Sequence, residues 1–143
     1  MAAGLTIKRA HLQRFQVAFD KAVSAQVNPE LLRPELLTDG ELNSAALHLE
    51  TAQLLLAAGP WGSGFAEPLF RGEFELINQR VVGGSHLKLV VKTAGRLIDA
   101  IAFRQPQLPG QPRRVQIAYK VAVNDYAGQR TLQLMVEYLE PIP

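Results

Sequence analysis

The spacing of apolar residues divides the chain into a helical first part and a strand-rich second part. Between Lys8 and about Gln26 the apolar side chains recur every three or four residues, which is the period of one face of an amphipathic helix. This face comprises Leu12, Phe15, Phe19, Ala22 and Val23. Asn28-Pro29 is expected to end the helix, because a residue that precedes proline is disfavoured in the α conformation.

A second helix is predicted to begin at Asn43 or Ser44, since either side chain can cap an N-terminus, and to run to about Ala57. Gly59-Pro60 is expected to stop it, because proline cannot continue a helix. The inner face of this helix is expected to carry Leu47, Thr51, Leu54 and Leu55.

Two segments rich in Pro and Gly flank the second helix. The first contains two prolines and an Asp-Gly turn signal, so it is predicted to be an extended connector with one short strand near Leu36 to Thr38. The second, GPWGSGFAEPLF, places Trp61 and Phe65 among glycines and prolines. It is predicted to be a fixed, packed turn that holds the helix against the following segment.

After Pro68 the apolar period changes to two, which predicts strands. Five are expected, at about 70–82, 86–92, 96–104, 114–124 and 130–139. Short connections join them, and tight hairpins need the positive φ angles that Gly83-Gly84 and Ala127-Gly128 can supply. Consecutive antiparallel strands must cover their edges, so a small closed barrel of the oligonucleotide/oligosaccharide-binding (OB) type is favoured, with an SH3-like barrel or a sandwich left open.

The alternation also assigns side chains to faces of these strands. In the second strand Leu87, Leu89 and Val91 are expected to point inward. Common faces are likewise expected for Val115, Ile117, Tyr119, Val121 and Val123 in the fourth strand, and for Leu132, Leu134, Val136 and Tyr138 in the fifth. The third strand is apolar on both faces, so its exposed side is not assigned.

Composition is typical of a soluble globular protein of 143 residues, and helices followed by strands make the predicted fold class α+β. The net charge is +2, but between Arg71 and Arg130 ten Lys and Arg residues face four Asp and Glu residues. A basic segment suggests an anionic partner, although such residues also keep sheet edges soluble. The chain has no cysteine, which fits a reducing cytoplasm, and no apolar run approaches the length of a membrane span.

The sequence contains no recognisable catalytic or metal-binding pattern. His11, His48 and His86 lie on three different predicted elements, without the spacing of metal ligands. Glu73 and Glu75 share one face of a strand, where solvation explains them better than acid–base chemistry. A nuclease active site is therefore disfavoured, since metal-dependent cleavage needs clustered carboxylates or histidines.

The predicted barrel does carry the residue types that bind single-stranded nucleic acid. Cations track the phosphates of a strand, and aromatic rings stack on its bases. The candidate residues are Arg80, His86, Lys88, Lys92, Arg96, Arg104, Lys120, Tyr126 and Arg130, with Phe103 as a further stacking residue.

Five blocks of the chain occur in the order and spacing of a known family: MAAGLTI, GPWGSGFAEPLF, RVVGGSHLKLVV, IDAIAF and AYKVAVNDYAGQRTLQLMVE. They resemble the C-terminal region of the RecJ family, the bacterial single-strand-specific DNA exonucleases of the DHH phosphoesterase superfamily. Trp61, Phe65 and Ala66 depart from many relatives, which have Phe, Asn and Pro there.

The resemblance implies three segments: the end of a DHHA1 domain at 1–27, a connector with the second helix at 28–68, and an OB domain at 69–143. It implies a single-stranded DNA-binding module that is a C-terminal fragment of such an exonuclease. The Asp-His-His motifs that bind Mn²⁺ or Mg²⁺ in this family belong to an N-terminal domain that the sequence lacks. The chain is therefore expected to have no cofactor and to bind DNA without cutting it.

Individual residues carry the resemblance differently. His86 and Lys88 in HLKL, and Tyr126, are expected to serve binding, whereas Asn124, Gly128 and Gln133 are expected to shape the last hairpin. The alternative function is a protein-interaction or scaffolding module, docking to the catalytic domain or to single-strand-binding protein. The exposed apolar stripe of the first helix could also drive dimerisation.

Overall fold

The computed structural model describes residues 4–28 and 35–143. Predictions for 1–3 and 29–34, including the start of the first RecJ-like block and the first part of the Pro-rich connector, lie outside the described residues. The chain divides after Leu36 into two units. In the first, a 3₁₀ turn at Arg9–His11 leads into helix α1 at Leu12–Gln26, as predicted. No residue of α1 is buried, so its apolar stripe is uncovered among the described residues.

The second helix begins later than the sequence predicted. Asn43 caps only a 3₁₀ turn at Ser44–Ala46, because its side chain accepts a hydrogen bond from the Ala45 N–H at 2.8 Å. Leu47 then leaves the helical conformation and is buried in the core. Helix α2 spans Leu49–Ala58, and His48 caps it by accepting a hydrogen bond from the Thr51 N–H.

The later start of α2 changes which residues face inward. Ala52 is fully buried and Leu55 packs against the core, whereas Leu54, which was predicted to face inward, is exposed. The following loop is tied to the helix, since the Trp61 indole N–H donates a hydrogen bond to the Leu55 carbonyl at 3.1 Å. The Trp61 and Phe65 rings are in contact, with centroids 4.7 Å apart, and Gly62 and Phe65 exchange two backbone hydrogen bonds, so the turn is fixed as predicted, although Phe65 is 57% exposed and not packed in the core.

The connector before α2 pairs with the first strand at a different place from the one predicted. Residues Leu36 to Thr38 form no strand, and the bridge to the sheet lies at Glu41, parallel to Arg71. Asp39 supplies the reason. Its backbone N–H donates to the Leu69 carbonyl, and its carboxylate accepts from the Leu69 N–H, so this residue docks the connector on the start of the strand.

Five strands follow, and they close into a barrel. They are β1 (Phe70–Val82), β2 (His86–Thr93), β3 (Arg96–Ala102), β4 (Arg114–Tyr126) and β5 (Gln129–Ile142). The order around the barrel is β1-β2-β3-β5-β4, in which β3 and β5 are parallel and the other neighbours are antiparallel. The predicted α+β fold with an OB-type barrel is confirmed, and the antiparallel description holds for every pair except the closing one.

The predicted alternation is correct for β2 and β4 but fails near the end of β5. Leu134 and Val136 point into the barrel as expected. The register then shifts, because Tyr119 is opposite Val136 while Ala118 is opposite Tyr138, which leaves Glu137 as an extra residue. The extra residue inverts the alternation, so Tyr138 is exposed and Leu139 packs on the core instead.

The barrel interior is filled by alternating residues from all five strands. The largest fully buried side chains are Tyr119, Leu87, Leu89, Ile117, Leu134, Val91 and Val115. On β3 the buried side is Ile98, Ala100 and Ala102, which settles the face that periodicity left open. The hairpin turns have the expected positive φ values, 57° and 77° at Gly83-Gly84 and 52° and 77° at Ala127-Gly128.

Leu89 and Leu97 form a matched pair for testing this interior. Leu89 is 0% exposed and Leu97 is 63% exposed, although the two residues lie on neighbouring strands. We expect Leu89→Ala to lower the free energy of unfolding by about 2–5 kcal/mol, because it leaves a cavity. Leu97→Ala should change it by less than about 0.5 kcal/mol. Urea denaturation followed by circular dichroism measures both, and equal losses would contradict the assignment of faces.

Candidate nucleic-acid interface

The outer faces of β2 and β3 form a continuous surface. From β2 they present His86, Lys88, Val90 and Lys92, and from β3 and the turn after it they present Leu97, Asp99, Ile101 and Phe103. On β1, Arg80 is directly opposite Lys88 and so extends this surface by one strand. We call these residues the β2–β3 face.

The lysines on the barrel are paired with carboxylates. Lys88 Nζ lies 2.9 Å from Asp99 Oδ2, and Lys92 Nζ lies 3.3 Å from Glu75 Oε2. Lys120 on β4 contacts both Glu67 at 3.4 Å and Glu137 at 3.5 Å. Each of these lysines must therefore leave or share a carboxylate before it can bind a phosphate.

The arginines divide into two groups. Arg130 Nε lies 3.1 Å from Asp125 Oδ2, Arg114 is paired with Glu73, and Arg71 approaches Glu41 at 3.9 Å. Arg96 donates a hydrogen bond to the Ser44 carbonyl. Like Arg96, three further arginines of the barrel unit have no carboxylate within ion-pair distance among the described residues. They are Arg80, Arg104 and Arg113.

The barrel unit as a whole has no excess positive charge. Residues 37–143 contain ten Lys and Arg and ten Asp and Glu, so the acidic flanks balance the basic segment that the sequence emphasised. Binding of an anionic strand would therefore depend on local free cations and not on the net charge of the unit.

A second kind of group lies at one end of the β2–β3 face. The His86 and Phe103 rings meet edge to face, with centroids 5.0 Å apart and an interplanar angle of 74°. His86 Nδ1 accepts a hydrogen bond from the Arg104 backbone N–H at 3.3 Å. Sequence periodicity placed Arg104 in a strand, but β3 ends at Ala102 and Arg104 has a φ of 54°. Because Leu87 is opposite Ala102, Phe103 comes opposite His86, a contact that depends on the register between β2 and β3 and not on alternation within either strand.

The remaining predicted residues lie elsewhere. Tyr126, 78% exposed, and Arg130 belong to the β4–β5 hairpin. Because β5 runs parallel to β3, this hairpin lies at the end of the barrel opposite Phe103. Asn124 and Gln133 occupy ladder positions opposite Thr131 and Ala122, while Gly128 is in the turn, which are positions suited to the structural role expected of these three.

A cleft of about 420 Å³ opens on another part of the barrel unit, between the connector and β1. Its lining includes Glu41, Arg71, Phe74 and the core residue Tyr119, which is 1% exposed. Burial, and secondarily the negative charge of Glu41, raises the pKa of Tyr119 to about 12.

The three histidines take part in no metal cluster among the described residues. In residues 4–28 and 35–143 no group of three or more His, Asp or Glu side chains is arranged to hold a metal ion. His48 caps α2 and lies 3.0 Å from Glu50, while His11 is in the first 3₁₀ turn. None of the helices in the described part of the chain combines the length and hydropathy that a membrane crossing requires.

Comparison with known proteins gives consistent matches. The model of the RecJ OB domain family matches residues 38–138. The chain is 44% identical over 151 residues to the single-stranded-DNA-specific exonuclease RecJ of Haemophilus influenzae, and 42% identical over 147 residues to that of Escherichia coli. Each alignment covers 99% of this chain and 26% of the relative, so the chain spans about a quarter of the length of these relatives.

Solved structures agree on the fold. RecJ of Thermus thermophilus in complex with Mn²⁺ superposes with a TM-score of 0.70 at 22% identity, covering 98% of this chain and 20% of that one. Its complex with Mg²⁺ gives a TM-score of 0.69 at 20% identity, covering 96% and 21%.

The raised pKa of Tyr119 predicts a loss of stability at alkaline pH. Between about pH 10, the ordinary tyrosine value, and about pH 12 the unfolded chain loses this proton while the folded chain keeps it. The free energy of unfolding should therefore fall by about 2–3 kcal/mol across this window, and be unaffected by this group below it. Tyr119→Phe should remove that pH-dependent loss, as measured by urea denaturation at several pH values.

Two tyrosines help to isolate this effect. Tyr138 also has a raised pKa, because its hydroxyl donates a hydrogen bond to Glu140, so the difference between wild type and Tyr119→Phe is the quantity to compare. Tyr126→Phe, at the exposed hairpin, is the control and should leave the alkaline loss in place. An unchanged alkaline loss in Tyr119→Phe would contradict the assignment.

Proposed function

Because the chain belongs to the RecJ family through a RecJ OB domain that spans most of its length, we propose that it is the single-stranded DNA-binding module of a RecJ-type exonuclease. The observation that carries the proposal is the β2–β3 face, which presents both the His86–Phe103 ring pair and Arg80, with Arg104 next to Phe103 in the chain. Binding of a single strand needs aromatic rings that stack on its bases and cations that are free to contact its phosphates.

The chemistry of this face predicts tolerance of sequence. Stacking uses the π-face that every base has, and the guanidinium groups address the phosphates, which are the same at each position. A duplex hides its base faces within the helical stack, so the same surface discriminates against it. These properties suit a module that guides a strand of any sequence.

The nine candidate residues remain a proposal, and the geometry sorts them. Arg80, His86, Lys88 and Lys92 share the β2–β3 face, Arg96 begins β3, and Arg104 lies in the turn after it. Lys120 on β4 and the pair Tyr126 and Arg130 on the hairpin lie outside it. A strand that contacts all nine would have to pass over most of the barrel surface.

The proposal assigns binding, and not bond cleavage, to this chain. In a longer RecJ-type enzyme we propose that Mn²⁺ or Mg²⁺ is held by other parts of the protein, and that the module acts in the cytoplasm, where bacterial DNA is processed. The relatives' names as bacterial DNA exonucleases support this view. Degradation of oligonucleotides by the pure chain on addition of Mn²⁺ would overturn it.

We expect the 143-residue chain to bind oligothymidylate and mixed-sequence single strands with similar affinity, and duplex DNA more weakly. Affinity should fall with salt, with a log–log slope of about −0.7 for each phosphate contacted. Fluorescence anisotropy with labelled oligonucleotides over a salt series measures both properties. Absence of binding at low salt would refute the proposal for this chain.

Release of a lysine from its carboxylate should strengthen binding. Asp99→Asn removes the charge that holds Lys88, so we expect about a threefold gain in affinity at low salt and a slope steeper by about 0.7. Asp20→Asn on α1 changes the net charge equally without altering the β2–β3 face, and it should have a smaller effect. Equal gains in both variants would show that only overall charge matters.

The uncovered face of α1 favours a second candidate function, protein docking. Leu12, Phe19 and Val23 are exposed, and Phe15 stacks on Phe19 at 5.6 Å without being buried. The occupant that we propose is the remainder of a RecJ-type polypeptide, because the relatives are about four times as long as this chain. Single-strand-binding protein is the other partner to be tested.

In the absence of that occupant, the α1 face is expected to pair with a second copy of the chain. Size-exclusion chromatography with light scattering should then give a dimer mass at high protein concentration, because exposed apolar helix faces associate. Phe19→Ser should return the monomer mass, whereas Leu54→Ser, at an exposed leucine of α2, should not. A monomer mass at all concentrations would contradict pairing through α1. It would not bear on the proposal that the chain binds DNA.

A further inference from the structure

Resting on the proposed function, we propose that the β2–β3 face contains one nucleotide-binding subsite at the end where β3 finishes. Phe103 and His86 are its stacking platform, and Arg104 and Arg80 bind the flanking phosphates. This subsite, and not the paired lysines or the β4–β5 hairpin, makes the principal contact with the strand.

Phe103 presents about half of its apolar surface to solvent. It continues the outward alternation of β3 through Asp99 and Ile101, and it is 51% exposed. An edge-to-face pair covers at most one face of one ring, so His86 supports Phe103 while leaving ring surface open. A planar base stacked there would remove that surface from water.

His86 is held by one hydrogen bond and fits in the space left by a glycine. Its Nδ1 accepts a hydrogen bond from the Arg104 N–H, so the neutral ring carries its proton on Nε2. On the other side lies the Gly83 turn, where an added Cβ would be 3.3 Å from His86 Cδ2. The glycine therefore leaves room for the ring, and the platform is positioned before any strand arrives.

The backbone of Arg104 is fixed in an uncommon conformation. A φ of 54° is uncommon for a residue other than glycine, and such conformations persist only when surrounding contacts maintain them. The hydrogen bond to His86 is one such contact. It takes Arg104 out of the strand alternation and keeps it next to Phe103 in the turn.

The loop that follows is also anchored. The Gln79 amide donates a hydrogen bond to the Leu108 carbonyl at 3.0 Å and accepts one from the Leu108 N–H at 2.9 Å. Gln79 is the neighbour of Arg80 on β1, so the same short segment fixes the loop and presents a free guanidinium group. Arg80 and the loop that begins at Arg104 are thereby held on one end of the barrel.

The cations at this end of the β2–β3 face differ from the lysines in having no carboxylate partner within the described part of the chain. A phosphate that approaches Lys88 or Lys92 competes with Asp99 or Glu75 for the ammonium group. At Arg80 and Arg104 no carboxylate of the described residues is within ion-pair distance. Phosphates are therefore bound at the arginines first, where no existing pair has to be broken.

The β4–β5 hairpin offers a less complete alternative. Tyr126 is more exposed than Phe103, but no other aromatic ring contacts it among the described residues. Its neighbouring cation, Arg130, is already paired with Asp125. At the hairpin, therefore, Tyr126 is not in contact with another described ring, and Arg130 would have to leave Asp125 before it could bind a phosphate.

The stacking role is tested by comparing oligonucleotides with and without bases. In the 143-residue chain, Phe103→Ala should weaken binding to oligothymidylate about tenfold and leave binding to an abasic oligomer of equal length unchanged. Phe103→Tyr should keep most of the wild-type affinity for oligothymidylate, because it retains an aromatic ring. Tyr126→Ala is the matched control and should change neither affinity by more than about twofold.

The phosphate role is tested by charge removal. Arg104→Gln should weaken binding to both the normal and the abasic oligomer, and should reduce the salt slope by about 0.7. Arg130→Gln, which removes an arginine that is already paired, should leave the slope unchanged. Circular dichroism melting of each variant separates these effects from loss of the fold.

The outcomes distinguish this subsite from the proposed function itself. If the wild-type chain binds no single strand, both are overturned. If it binds, but Tyr126→Ala and Arg130→Gln weaken it while Phe103→Ala and Arg104→Gln do not, the subsite is wrong and the DNA-binding function stands. If Phe103→Ala weakens the abasic oligomer as much as the normal one, the ring does not act by stacking on bases.

Discussion

Closure of the sheet by the parallel pairing of β3 with β5 is the constraint on which the rest of the structure depends. The pairing leaves no free edge along β3, and it commits alternate residues of every strand to one interior. Leu89, Ile117 and Leu134 are completely buried in that interior, so the residues that alternate with them have to face outward. The outward positions of His86, Lys88 and Phe103 therefore follow from the burial of the residues next to them in the strands.

The same closure decides the electrostatics of the outer surface. Adjacent strands bring Glu75 to Lys92 and Asp99 to Lys88, so charges that are distant in the chain neutralise one another on the sheet. What remains is a surface with little net charge and a few arginines without a carboxylate partner among the described residues, Arg80 and Arg104 included. In such a protein, affinity for a polyanion is governed by which cations lack a partner, because paired groups must first be separated.

Local patterns predicted the elements that are governed by local physics. Alternation identified β2, the positive φ angles of Gly83-Gly84 were expected from the hairpin, and the period of α1 was clear. The failures occurred where a long-range contact overrides the pattern. Burial of Leu47 in the barrel delays α2, and the extra residue at Glu137 turns Tyr138 outward. Neither effect is encoded within a window of a few residues.

The sequence by itself determined the class of fold, the residues with inward-facing positions on β2 and β4, and the family resemblance, because each depends on neighbours in the chain. Only the tertiary structure decided which candidates act together. It brought His86 to Phe103 and removed Arg104 from the strand, and it paired Lys88 with Asp99. The physical reason is that ring contacts and ion pairs fall off over a few ångströms, and the register between strands sets which side chains come that close.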